Sequence, residues 1–305
     1  MLFVIDKIII FLYNFKATWL LQQPTKDFMN IFNSGCTASD GRVADTLSQA
    51  PRLALVTDAL TFNECPPKAP DLAVDILVSA LQSALGIQES VALGHFVAVH
   101  EYEPDVPYRG RCPWSLAVMC NASEDVREEL RRGAATENEV KAFCRSTASD
   151  HACFFYVVAW GGMRPQNARR AYAQRYKWLP IVRAMRERKC EDRRALFDRF
   201  SDAKISGLAA AYFTKLMYFC CPGGGCYILD QWTARSINLI FGIGNQLIYM
   251  SSRTWVDRRN KGTHYEKYCM VVEVIANVLR KSPREIEQAM FAGRAYPWRK
   301  YIKAR

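Results

Sequence analysis

The sequence predicts a mainly α-helical protein, and three observations carry that reading. From Ser123 onward, apolar residues recur at helical spacing almost to the end of the chain. Capping residues punctuate these runs, and few strand-like alternations survive in the second half. With 305 residues, 50% of them hydrophobic, the chain can also bury a large core.

Taken in order, residues 1–90 form an N-terminal region whose structure the sequence leaves open, and residues 91–305 form a helical domain. The opening MLFVIDKIIIFLYNF reads as a buried strand or helix, or as a non-native start. Its uncharged run from Ile8 to Phe15 falls far short of the ~20 residues a membrane span needs, and it lacks a basic leader and a small-residue cleavage site. Residues 20–70 contain turn-rich stretches, NSGCTASDG and ECPPKAPD, without a recognisable motif. Residues 71–85 have the spacing of a helix ending at Gly86, while residues 91–101 and the PWSLAVMC run are short apolar stretches of either type. Ser123 starts a helix with Glu124 and Asp125 in its first turn, expected to reach about residue 132. Helices are then expected over 137–145, 151–160, 167–188, 191–203, 209–220, 231–241 and 265–281. A last one follows Ser282, with Pro283 at its first position and Glu285 completing a capping box.

Charge is unevenly divided. Residues 1–160 hold 13 Lys and Arg against 19 Asp and Glu, whereas residues 161–305 hold 28 against 11, a net of +17. The second half therefore calls for a polyanionic partner rather than a membrane surface, since no long Lys-rich amphipathic helix accompanies the charge. The 11 cysteines are odd in number and follow no disulfide spacing, as expected of reduced thiols in a cytoplasmic protein. Cys120, Cys144, Cys153 and Cys269 lie in apolar runs as small hydrophobes. No metal site is expected: His95, His100, His151 and His264 are unpaired in sequence, and no second pair completes Cys220, Cys221 and Cys226. Gly223–Gly225 lacks the Lys-Ser/Thr of a phosphate loop, and no Gly-x-Ser-x-Gly elbow occurs.

The most informative stretch is ISGLAAAYFTKLMYFCCPGGGCYILDQWTARSINL, residues 205–239. Gly207 supplies an unhindered turn, and the following helix opens on three alanines, so its free amides can approach a phosphate closely. Leu208, Tyr212, Leu216 and Phe219 would face the core. After the Pro222–Gly225 break comes the apolar lead-in Tyr227-Ile228-Leu229, and then Asp230 heads an amphipathic helix. An Asp there is an ordinary N-cap; a hairpin upstream at a fixed distance gives it a second meaning.

Gly207-Leu208-Ala209 with Asp230, 23 residues beyond Gly207, resembles the helix–hairpin–helix DNA glycosylases, in particular the 8-oxoguanine-glycosylase-fold branch of bacterial proteins. The resemblance covers residues of about 120 to 295, places the helix–hairpin–helix at 191–221 and implies a two-lobed helical fold. Ala209 replaces the second hairpin Gly and still permits close approach. In bifunctional members a Lys nucleophile lies four residues after the first hairpin Gly; that position here is Ala211. The resemblance then implies that Asp230 acts alone, assisting loss of the base through an oxocarbenium-like sugar and activating water, without strand cleavage. Lys215, one turn on, is the reserve nucleophile, with a surface or phosphate-contacting lysine as the plainer alternative.

A flipped base needs stacking and hydrogen-bonding walls. The candidates are Trp160, Trp232 and Trp255 for stacking, and Gln231 and Gln246 for hydrogen bonds, each of which could instead be core or cap. The Gly-containing loop WGGMRPQN could line the pocket or enter the DNA. Arg253, Arg258, Arg259 and Lys261 around Trp255 suit phosphate contacts, joining Gly207, Leu208 and Ala209 of the hairpin. The expected partner is double-stranded DNA, bound by a monomer that needs no cofactor. The rival class is a DNA-binding module that keeps the hairpin only for structure.

Overall fold

The structure is a computed structural model that describes residues 69–87, 90–100, 110–188, 192–242, 246–251, 254–291 and 296–305. The readings for residues 1–15 and 20–68 lie outside the described residues. Residues 73–305 form one compact unit. In chain order the helices are α1 Ala69–Leu85, α2 Val91–Val99, α3 Pro113–Met119, α4 Glu124–Glu128, α5 Glu137–Arg145, α6 Asp150–Trp160, α7 Pro165–Ala173, α8 Arg175–Arg186, α9 Arg193–Asp202, α10 Ala210–Cys220 and α11 Gln231–Phe241. A two-stranded antiparallel ribbon follows, β1 Met250–Ser251 with β2 Trp255–Val256, and then α12 Gly262–Leu279, α13 Pro283–Phe291 and α14 Pro297–Ala304. The described chain is thus mainly helical, as the sequence predicts.

The helices fall into two groups. Helix α6 is apolar on every side, and every residue from Ala152 to Trp160 is buried, so it needs partners all round. It receives α3, α5, α8 and α10, with α4 and α7 packed outside them. The second group gathers α2, α11, α13 and α14, and α12 packs between α13 and α9. Helices α9 and α10 touch each other but belong to different groups, so the turn between them lies at the seam.

Several boundaries differ from expectation, for local reasons. The helix expected over 167–188 is two, divided at Gln174 (φ −101°, ψ 25°). The carbonyls freed there are retaken: Ala171 accepts from the Trp178 indole at 3.0 Å and Tyr172 from Arg175 at 3.4 Å. Pro180, inside α8, does not interrupt it. Helix α4 stops at Glu128 rather than near residue 132, and the chain beyond is held from outside, Ser149 donating its amide to Glu129 and the Arg131 amide donating to the Tyr156 hydroxyl. The run from residue 91 is helical over Val91–Val99, the PWSLAVMC run over Pro113–Met119, and α14 follows the helix expected to be last. The Ser282–Glu285 capping box forms, with amide-to-side-chain bonds of 2.7 and 3.2 Å. No described helix is long and apolar enough to cross a membrane.

Candidate active site and nucleic-acid interface

The turn from α9 to α10 is a hairpin. Lys204 (φ +46°) and Gly207 (φ +84°) both take left-handed backbone, and Leu208 is buried beneath the turn. A side chain at Gly207 would put its Cβ 2.2 Å from the Asn167 carbonyl oxygen, so the glycine lets the hairpin rest on the first turn of α7. Ala209 caps α10 without a side-chain acceptor. Among the described residues, the amides of Ala209, Ala210 and Ala211 have no acceptor in the chain. Three donors and the positive end of an eleven-residue helix are therefore left without a partner among the described residues.

Asp230 is reached through an extended segment, Tyr227 to Leu229, that pairs with no strand among the described residues. Side chains satisfy it instead. The Tyr227 amide donates to the Tyr265 hydroxyl at 3.0 Å, and that hydroxyl donates to the Tyr227 carbonyl at 2.8 Å. The Ile228 amide donates to Glu287, and the Ile228 carbonyl accepts from Tyr268 at 2.8 Å and Thr233 at 3.0 Å. The Leu229 amide donates to Thr214 Oγ1 at 3.1 Å. These partners come from α10, α11, α12 and α13. Asp230 itself is buried (6% exposed) and caps α11, its Oδ1 accepting from the Trp232 and Thr233 amides at 2.8 and 3.1 Å. Its Oδ2 accepts no hydrogen bond among the described residues. One oxygen holds the helix; the other is available.

Lys215 faces the same seam from α10. It is buried (7% exposed), its Nζ donates to the Ala211 carbonyl at 2.8 Å, and it lies 5.6 Å from the centre of the Tyr212 ring. Burial holds its ammonium below the usual lysine range, while the charges of Asp230 and Glu287 push it back up. Its stem runs over Gly161, where a Cβ would come within 2.8 Å of Lys215 Cδ. The WGGMRPQN loop is thus brought to the site through Gly161. Behind them, the buried Glu287 has its carboxyl pushed up by burial and is held by Arg284 at 2.5 Å. Arg284 also reaches Glu137 of α5, which accepts from the Tyr218 hydroxyl at 2.5 Å, so this network crosses from one helix group to the other. Sequence reading missed Glu287, Arg284 and Gly161's contact with Lys215, and it assigned Tyr212 to the core, whereas that ring is half-buried beside the Lys215 amine; the Arg-x-x-Glu spacing after Ser282 was visible, its burial was not.

The other candidates divide. Gln231, with its amide oriented to satisfy both atoms, donates to the Thr254 carbonyl at 2.7 Å and accepts from the Trp232 indole at 3.0 Å. It ties the residue after Asp230 to the ribbon, where Trp255 stands 63% exposed. Trp232 is half-buried beneath Arg299, whose guanidinium centre lies 3.5 Å from the ring centre. Trp160 is buried and packs edge-to-face with Phe219, their ring centres 4.9 Å apart. Gln246 is exposed. Arg258, Arg259 and Lys261 are all exposed, Arg259 bonded to Asp257 at 3.2 Å and Lys261 within 3.9 Å of Asp202. The Gly262 amide donates to Asp198 of α9 at 2.7 Å, which brings this basic loop beside the hairpin's first helix. Arg253 lies outside the described residues. Among the described residues no three His, Cys, Asp or Glu side chains gather as metal ligands would.

A hairpin with free amides, a half-used Asp and a buried amine at one seam form a constellation suited to DNA bases. Residues 99–291 match the family model described as "Putative 8-oxoguanine DNA glycosylase OGG-like protein". The chain belongs to this family. The glycosylase family's span begins at the end of α2 and closes with α13, so it takes in the hairpin, Asp230, Lys215 and Glu287. Membership supports a DNA glycosylase activity and DNA as the substrate. No curated protein and no solved structure matches the chain.

Proposed function

We propose that the chain hydrolyses the N-glycosidic bond of a damaged or modified base in double-stranded DNA, with Asp230 as the catalytic carboxylate. The observation that carries this reading is the divided role of Asp230: Oδ1 is fixed by two amides and Oδ2 is left for chemistry. A DNA backbone bound on the Ala209–Ala211 amides would sit beside that carboxylate, and the base would be turned out of the stack to reach it. Asp230 then stabilises positive charge developing on the sugar as the base leaves and takes a proton from the attacking water, leaving an abasic site. Family membership makes oxidised guanine the first substrate to test. An alkylated base, or a hypermodified base of phage DNA with a role in defence, also fits a site reached by base flipping.

A second reading rests on Lys215. In this reading the buried amine, held below its usual range within the field of Asp230, attacks C1′ of the sugar as the base leaves, and the imine formed lets the 3′ phosphate depart by elimination. The two readings separate cleanly. Wild-type protein and Asp230→Asn are incubated with modified and unmodified DNAs and the released bases identified by mass spectrometry. Release by the wild type and its fall by a factor on the order of 10²–10⁴ in Asp230→Asn, the range for a positioned acid–base group, is the expected outcome. No release from any DNA would leave only a binding module. An adduct trapped by borohydride in the wild type and lost in Lys215→Ala would assign the amine nucleophile instead.

A further inference from the structure

The far end of α6 carries a second group of chemistry-bearing residues. A cleft of about 560 Å³ opens there between α3, α4, α6 and α7. Its polar lining is Ser123, His151, Arg169 and Arg175 with Asn121, and its lining also includes Cys120 and Tyr172; no carboxylate among the described residues lines it. His151 Nδ1 is buried without a hydrogen-bond partner among the described residues. Arg169 gives Nε and Nη2 to the Met119 carbonyl at 3.1 and 3.0 Å, which fixes the guanidinium and leaves Nη1 facing away. Arg175 lies 5.1 Å from the Tyr172 ring centre and is held at one nitrogen by the Tyr172 carbonyl at 3.4 Å. Two guanidiniums, the Ser123 side chain and the His151 ring, whose buried Nδ1 lies behind its cleft-lining edge, border one space. Nearby acids are already engaged: Asp150 pairs with Arg183 and Arg186 at 3.2 and 2.6 Å, and Glu129 accepts the Ser149 amide at 2.6 Å.

We propose that this cleft is a phosphate-binding site, separate from the Asp230 seam, gripped by Arg169 and Arg175 and completed by His151. Arginine forks suit phosphate oxygens, and a neutral or protonated imidazole can donate to one. His151 and Gly161 stand ten residues apart on one helix, so the cleft lies ~15 Å from the Lys215 contact at 1.5 Å per residue. Helix α7 runs between the two places, its first turn under the hairpin and its last turn in the cleft. The phosphate can belong to the backbone of DNA already held at the hairpin, or to a free phosphate-bearing ligand.

Inorganic phosphate is the probe, and the His151 ring resonances of the full chain are the readout. Burial and the Arg175 charge hold His151 below its usual range, with Asp150 and Glu129 opposing and Arg183 adding to the depression. A bound dianion must raise it. Saturable binding with an upward shift of the His151 titration is expected, abolished in Arg175→Glu and weakened in Arg175→Gln, both exposed substitutions at the start of α8. Phosphate with no effect on His151, or the same effect in Arg175→Glu, would overturn the site. The source is read from duplexes of increasing length. If the DNA backbone fills the cleft, longer duplexes gain affinity in the wild type and not in Arg175→Glu, and its salt slope falls by about one. If duplex length makes no difference while phosphate still binds, the ligand is a free phosphate. Base release is not needed for either result, so failure here and failure of the glycosylase reading remain distinguishable.

Discussion

At the scale of single residues, the buried ammonium of Lys215 has a measurable thermodynamic consequence. Its folded-state value is lowered, so the unfolded chain binds the proton more readily. The cost of burying the charge is therefore fully present below the folded value and fades as pH rises from it toward ~10.4, the ordinary lysine value. Lys215→Met, close in volume, is expected to raise the melting temperature by a few degrees on the acid side of that window, with the difference shrinking as pH climbs toward ~10.4. Thermal scans across pH check this; a variant less stable than wild type across the whole range would mean that the Asp230 and Glu287 charges outweigh the desolvation. Asp230 as a cap and Lys215 as its companion were legible in the sequence, because spacing and residue type carry them. The burial of Lys215 was not, since it depends on Gly161 and Glu287, 54 residues before and 72 after it in the chain. Cys120, Cys144, Cys153 and Cys269 are buried as the apolar runs imply.

Among elements, two glycines with different geometries allow a controlled comparison. Gly207 has φ +84° and a backbone oxygen 2.2 Å from the space a Cβ would take. Gly207→Ala therefore combines a strained backbone, worth about 1–3 kcal/mol, with a collision that only movement of α7 can relieve. A fall in melting temperature of roughly 5–10 °C and loss of DNA binding are expected. Gly161 has ordinary helical backbone (φ −68°), and its added Cβ would crowd the stem of Lys215, with the Val157 carbonyl at an ordinary 3.4 Å. Gly161→Ala is expected to fold normally and keep most of its base release, because Asp230 is untouched. A drop of a hundredfold or more with unchanged stability would show that the Lys215 amine takes part in the reaction. The hairpin and its two helices were readable because Gly, Ala and Pro punctuate them locally. The break at Gln174 and the early end of α4 were not, since the groups that stabilise them, Trp178, Tyr156 and Ser149, are tertiary partners with no periodic signal.

For the whole molecule, the division of charge along the chain predicts how it binds. The basic second half supplies α7, α8, the hairpin and the loop of Arg258, Arg259 and Lys261. DNA affinity should fall linearly with the logarithm of salt, by about 0.9 decades per decade of salt for each phosphate contacted. Arg258→Ala, at an exposed position without an ion pair among the described residues, is expected to reduce that slope by about one contact and to weaken modified and unmodified duplexes alike. A sequence- or lesion-selective loss would instead place Arg258 at a base. Mainly helical architecture was legible at this scale, but the seam between helix groups was not, because the Arg284–Glu137 bridge joins residues 147 positions apart.

The segment from Tyr227 to Leu229 also fixes what kinds of change the site can absorb. A strand in a ladder can slip by two residues and find equivalent partners, because every neighbour offers the same peptide groups. Here each amide answers to a different side chain, a tyrosine, a glutamate and a threonine, so no shifted alignment restores the set. A residue inserted among Gly223–Gly225, where Gly223 and Gly224 would meet nothing within 4 Å, should be taken up as slack in that loop and leave the carboxylate where it stands. The same insertion two residues before Asp230 should erase activity outright.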